Sequence, residues 1–133
     1  MEERDYLKKQ IDQMGQVFAK MLSSLLGLKN NGQVNEGLEM SNQTLKKELD
    51  FTIQELIDLP TDELIEYLTV QKNLTNENLD KLSEILLFHA ENSQVEKEKL
   101  YKRCLMIYEY LDSVESIYSL ERQWKIQRIK NQL

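Results

Sequence analysis

The sequence contains few of the residues that carry chemistry or interrupt helices. Its 133 residues include one Cys, one His, one Pro and four Gly. A single Cys excludes an internal disulfide and is typical of a reducing compartment. The shortage of Gly and Pro leaves few signals for the tight turns that join strands. These absences disfavour a disulfide-bonded secreted fold and an all-β fold.

The sequence also lacks a segment suited to export or to crossing a membrane. Acidic residues dominate its start, where a secretory signal would have basic ones. The longest nearly uncharged run, residues 17–28, contains Lys20 and is shorter than the roughly 20 residues that a membrane span needs. We therefore expect a cytoplasmic protein with no membrane partner.

Charge is unevenly distributed along the chain. The net charge is −6, with −10 in residues 48–96 and +3 in residues 97–133. The overall acidity disfavours nucleic-acid binding, because phosphate contacts need clustered Lys and Arg. The asymmetry indicates either a solvated acidic surface or complementarity between the acidic middle and the basic end of neighbouring chains.

What the sequence does have is apolar residues at three- and four-residue steps, the period of amphipathic helices. The first helix is predicted over about Glu3 to Leu28, with one stripe formed by Leu7, Ile11, Met14, Phe18, Met21, Leu25 and Leu28. Alternation of period two is too short anywhere to predict a strand. We expect one all-α domain over residues 1–133, built as a compact array of about six to seven antiparallel helices.

Capping signals predict where several helices begin. Thr52 starts a capping box, and Thr61 and Thr75 are predicted to cap the two helices that follow. A second capping box at residues 93–96 predicts the start of a sixth helix. The last helix is predicted to begin near Glu115.

Two segments, residues 31–45 and 93–105, have small residues at the spacing of tetratricopeptide helix pairs, Gly37 among them. The chain also resembles, nearly end to end, a family of small uncharacterised bacterial proteins with tetratricopeptide-like helices. The likeness is carried by residues 4–20, 108–112 and 118–123. It implies a tetratricopeptide-like fold and brings no activity, since none is assigned to the family.

His89 and Cys104 are the two residues with potential chemistry. His89 has no second His for a metal cluster or a triad, so we expect a satisfied histidine near a helix end. Cys104 lies on an apolar row, where free cysteines are usually small buried hydrophobes. The neighbouring Lys102 and Arg103 leave a reactive thiolate open as an alternative. We expect no catalytic residue, no metal and no cofactor, and therefore no enzyme.

The last helix has two apolar faces. Ile117, Leu120 and Trp124 lie on one of them, whereas Tyr118, Ile126, Ile129 and Leu133 lie on roughly the opposite one. The second face is interpreted either as the result of a bend in the helix or of fraying at Leu133, or as a contact with another chain. The candidate self-association surface consists of Tyr118, Arg122, Lys125, Ile126 and Ile129.

The functional prediction is therefore a non-catalytic protein–protein interaction or scaffold protein that forms homo-oligomers. The alternative is a helical domain that binds a small molecule or lipid, with the Met- and Leu-rich first helix as one wall of the pocket. A closed apolar cavity above about 300 Å³ would favour that alternative.

Overall fold

Seven α-helices follow one another along residues 2–133, the part of the chain that this computed structural model describes. They are α1 (Glu2–Asn30), α2 (Val34–Leu49), α3 (Ile53–Asp58), α4 (Leu64–Glu66), α5 (Asn76–Asn92), α6 (Lys97–Val114) and α7 (Leu120–Lys130). A 3₁₀ turn, Thr61–Glu63, precedes α4, and a π-helical turn, Tyr67–Gln71, continues it. Residues 2–133 contain no strand, which confirms the predicted all-α class.

The long helix α1 uses its apolar stripe in two ways. Phe18, Met21 and Leu25 are buried in the core, whereas Leu7 near the start of the helix is exposed. The apolar stripe, whose residues recur every 3.5 positions on average, is therefore buried in the second half of α1. Its first residue, near the start of the helix, extends past the core into solvent.

Helices α1 and α2 pack closely after a turn at Gly32, whose positive φ of 73° suits glycine. The packing is tightest at Gly37 of α2. A Cβ atom placed there would lie 3.1 Å from Cδ2 of Leu25 on α1. The small residue at position 37 thus allows the two helices to approach each other.

Helix α5 lies at the centre of the array and contacts α1, α2 and α6. Its side chains are buried on several sides, as the apolar run at residues 85–88 predicts; the buried ones include Leu79, Leu82, Ile85, Leu86, Leu87 and Ala90. Covering an apolar helix from several sides is the main source of its stability, since isolated short helices are marginal in water.

Two of the predicted helix caps are confirmed. Oγ1 of Thr52 accepts a hydrogen bond of 3.1 Å from the backbone N–H of Glu55. Oγ1 of Thr75 accepts one of 3.2 Å from the N–H of Asn78. Each bond satisfies a donor that the first turn of a helix leaves unpaired. Thr61, in contrast, makes no such cap and is the first residue of the 3₁₀ turn.

The predicted capping box at residues 93–96 is wrong, and α6 begins at Lys97. Glu96 adopts the left-handed conformation with φ of 50°, which the third residue of a helix cannot have. Its carboxylate instead accepts a hydrogen bond of 2.9 Å from Nε2 of Gln54 on α3. A contact with a distant segment therefore replaces the local cap.

The predicted start of the last helix near Glu115 is also wrong. Residues 115–119 are not helical, and α7 begins at Leu120 with Ser119 as its cap. Oγ of Ser119 accepts a hydrogen bond of 3.2 Å from the N–H of Arg122. The connecting segment allows α7 to turn back along the array and to pack against α6.

Candidate functional site

His89 is buried and bonded to α2. Its Nε2 lies 2.6 Å from Oγ of Ser41, and that hydroxyl lies 2.9 Å from the carbonyl oxygen of Gly37. A hydrogen on Nε2 donated to Ser41, with the Ser41 hydroxyl donating to Gly37, satisfies all three groups. Burial lowers the pKa of His89 from 6.5 to about 4. His89 is thus a neutral core residue that joins α5 to α2.

Cys104 is also fully buried, with Sγ 3.6 Å from the carbonyl oxygen of Ser83. Burial raises the pKa of the Cys104 thiol well above its ordinary value, so the thiolate that a nucleophile needs is disfavoured. Arg103 does not activate it. The guanidinium of Arg103 donates instead to carbonyl oxygens of Leu56, Ile57 and Leu59 at the end of α3.

Nowhere within residues 2–133 do three or more His, Cys, Asp or Glu side chains lie where they could hold a metal ion. Two tyrosines of α6, Tyr101 and Tyr108, are core residues. Among the described helices, none has the length and apolar character needed to span a membrane.

The face of α7 that was predicted to contact another chain is the inner face of the helix. Ile126 and Ile129 are buried against the rest of their own chain, so their assignment to a surface for a second chain is wrong. Because the two faces of α7 have similar apolar content, the hydrophobic pattern of the sequence could not identify which face is buried. Tyr118 is the one apolar member of the predicted surface that is exposed.

Arg122 holds α7 in place through an internal network of charges. Its guanidinium lies 3.2 Å from Asp112 and 2.9 Å from Glu115. Burial by itself lowers the pKa of Arg122, but the hydrogen bond to Asp112 and the charges of Glu115 and Asp80 raise it overall. Arg122 was predicted to flank a partner surface and instead binds its own chain.

Two further cations of α7 reach across to α5. Nζ of Lys125 lies 2.6 Å from Glu84, and Nη2 of Arg128 lies 2.8 Å from Glu91. Burial by itself lowers the pKa of Lys125, and its hydrogen bonds to Glu84 and Glu121 raise it overall. Lys125 therefore also serves the internal packing of α7, whereas Arg128 keeps more than half of its side chain in solvent.

The outer surface of α7 and its preceding segment is the candidate functional site. Four large apolar side chains are exposed there: Ile117 (79%), Tyr118 (72%), Leu120 (53%) and Trp124 (67%). We call these four residues the α7 outer patch. Leu120 and Trp124 are four residues apart on one helical face, and the other two immediately precede it. The sequence pattern places Ile117, Leu120 and Trp124 on one face of the last helix, but it is the opposite face that was predicted to contact another chain.

A groove beside α7 is the second surface feature of note. It has a volume of 510 Å³ and runs between α1, α5 and α7. Leu22 and Leu26 of α1 and Leu87 of α5 supply apolar lining, with Lys29 and Arg128 among its charged residues. Leu26 is exposed, so the groove is open to solvent rather than a closed cavity.

Comparisons of the chain with protein-family models, with curated proteins and with solved structures find no match. The resemblance to tetratricopeptide-like proteins therefore stays a prediction.

Proposed function

We propose that this chain is a non-catalytic interaction protein, a helical scaffold that binds other protein chains through the α7 outer patch. The observation that carries the proposal is the exposure of Trp124 together with Ile117, Tyr118 and Leu120. Aromatic side chains are enriched in the buried centres of protein interfaces, and Trp and Tyr dominate binding hot spots. Clustered exposed apolar side chains of this size are typical of interaction sites.

The burial of the reactive groups supports the non-catalytic part of the proposal. His89 is neutral and bonded to Ser41, and Cys104 has a raised thiol pKa. A general base or a nucleophile has to reach a substrate, and neither group does so in this arrangement. The free thiol is also consistent with a bacterial cytoplasmic location, which we include in the proposal.

The test removes the patch and leaves the fold intact. Trp124→Glu combined with Ile117→Glu adds two charges to the patch, whereas Val70→Glu adds a charge at an equally exposed valine on the π-helical turn. Sedimentation velocity between about 1 and 100 µM protein, the range of ordinary protein affinities, and affinity capture from cell extract compare the variants. We expect the patch variant to lose associations that the wild type and Val70→Glu retain. Identical associations in all three proteins would contradict the proposal.

A second candidate function is the binding of a fatty-acid-type amphiphile in the groove beside α7, which is open to solvent and not the closed cavity expected for a small-molecule or lipid-binding domain. The acyl chain of such an amphiphile would cover Leu22, Leu26 and Leu87, and its carboxylate would meet Lys29, which lines the same groove. A volume of 510 Å³ falls within the range of small-molecule sites. Equilibrium dialysis with labelled oleate tests this function. We expect binding that Leu26→Glu abolishes and that Leu7→Glu, in a different surface cavity, preserves; equal binding by both variants would reject the groove as the site.

A further inference from the structure

Charges of opposite sign lie on one flank of the α7 outer patch. Glu121 precedes Trp124 by three residues, and Arg128 follows it by four. Both side chains are accessible, with 75% of Glu121 and 54% of Arg128 exposed. Seven residues are about two helical turns, so the two charges lie on the same side of the stripe formed by Leu120 and Trp124.

This arrangement is complementary to itself in one orientation only. When two helices pack antiparallel, each flank of one helix faces the same flank of the other. A two-fold axis near Trp124 then places Glu121 opposite Arg128 of the second copy, and the symmetry repeats the pair. In a parallel arrangement, the charged flank of one α7 would instead face the other flank of α7 in the second copy, which carries Gln123 and Gln127.

We propose that the α7 outer patch is the interface of a two-fold dimer in which α7 packs antiparallel against α7 of a second copy. Trp124 meets its symmetry mate at the axis, and two Glu121–Arg128 ion pairs flank it. This inference rests on the proposed function and identifies the partner as a second copy of the chain. Two-fold dimers of this kind close on themselves and are the commonest assemblies of identical chains.

The contacts inside the monomer leave both charges available. Glu121 lies 3.1 Å from Lys125, and Arg128 lies 2.8 Å from Glu91. Because both side chains are largely in solvent, each can accept a second partner of opposite charge without leaving the first. The antiparallel arrangement also places opposite ends of the two helix dipoles side by side.

Charge reversal tests the pairing. Glu121→Arg and Arg128→Glu each replace two attractive contacts by two repulsive ones, and we expect each to weaken the dimer about tenfold in sedimentation equilibrium. The double variant restores both pairs with exchanged signs, so its dissociation constant should return to within about threefold of the wild-type value. Equal weakening in the single and double variants would overturn the pairing.

Cross-linking tests the orientation. We expect a mixture of Glu121→Cys and Arg128→Cys proteins to form covalent dimers with a short bismaleimide, and each variant alone to form none. In the antiparallel dimer, two copies of position 121 are separated by about 10 Å along the helix axis, the rise of seven residues. The wild-type chain is the control, because its Cys104 is buried. Cross-linking of Glu121→Cys with itself would overturn the antiparallel arrangement.

The two proposals fail in different ways. A chain that stays monomeric at 100 µM and loses a different protein partner through Trp124→Glu would refute the dimer and support the interaction surface. A dimer that Trp124→Glu leaves unchanged would refute the role of the patch in both.

Discussion

Oγ of Ser41 lies 2.6 Å from Nε2 of His89 and joins the second helix of the array to the central one. The bond is buried, and burial lowers the pKa of His89 from 6.5 to about 4. A histidine that is neutral when folded links the stability of the protein to pH. The sign of that link follows from the depressed pKa.

Between pH 4 and pH 6.5 the unfolded chain binds a proton at His89 that the folded chain does not. Stability from the neutral histidine is therefore complete above pH 6.5 and is lost as the pH falls towards 4. The loss approaches about 3 kcal/mol, the equivalent of the pKa shift. Urea denaturation of wild type and His89→Gln measures it. The free-energy difference between the two should change with pH over this range, and parallel pH profiles would contradict the prediction.

Arg103 is buried on α6, and its guanidinium donates three hydrogen bonds to backbone carbonyl oxygens at the end of α3, at 2.8 to 3.2 Å. Replacement by methionine leaves those acceptors without their donor. We expect Arg103→Met to reduce the free energy of unfolding by about 2–3 kcal/mol. Lys102→Met is the matched control, since Lys102 makes an exposed salt bridge to Glu98, and its effect should stay below about 0.5 kcal/mol. Similar losses in the two variants would contradict the role of Arg103.

Gly27 and Gly37 lie in neighbouring helices and differ in their surroundings. No atom lies within 4 Å of a Cβ built at Gly27, whereas one built at Gly37 would touch Leu25 at 3.1 Å. Gly27→Ala should raise the free energy of unfolding by about 0.5–1 kcal/mol through helix propensity. Gly37→Val should lower it by about 1–3 kcal/mol through overpacking. Thermal unfolding followed by circular dichroism measures both, and changes of the same sign would contradict the close packing of α1 and α2.

The inner and outer faces of α7 should respond differently to truncation. Ile129 is buried, and Trp124 is exposed. We expect Ile129→Ala to cost about 2–4 kcal/mol of unfolding free energy, and Trp124→Ala to change it by less than about 0.5 kcal/mol at concentrations where the chain is monomeric. Chemical denaturation of both variants at low protein concentration measures the difference. A larger loss of unfolding free energy in Trp124→Ala than in Ile129→Ala would contradict the assignment of Trp124 to the exposed face and Ile129 to the buried one.

Helical periodicity was sufficient to predict the fold class, because each long helix buries a stripe that recurs every three to four residues. The burial of α5 on several sides could also be predicted from its run of adjacent apolar residues. The starts of α6 and α7 could not. They depend on Glu96 meeting Gln54 and on Arg122 meeting Asp112 and Glu115, which are contacts between separate segments.

The candidate surface was assigned to the last helix, but two of its apolar members, Ile126 and Ile129, are buried within the chain. Because the two apolar faces of α7 are similar in size, the tertiary structure decides which of them is buried. Here the choice is made by the charges of Arg122 and Lys125, which bind acidic residues of α5, α6 and the segment before α7. The role of Arg103 had no sequence signal, since a basic residue on a helix is ordinarily solvated.

Helix α5 packs between α1, which begins the chain, and α6, which follows α5 directly. Neither part of the chain can therefore form the whole hydrophobic core alone. A cut in the segment between α5 and α6 would yield two fragments that acquire structure only when they are mixed. During synthesis, the side of α5 that α6 covers stays exposed until α6 has left the ribosome.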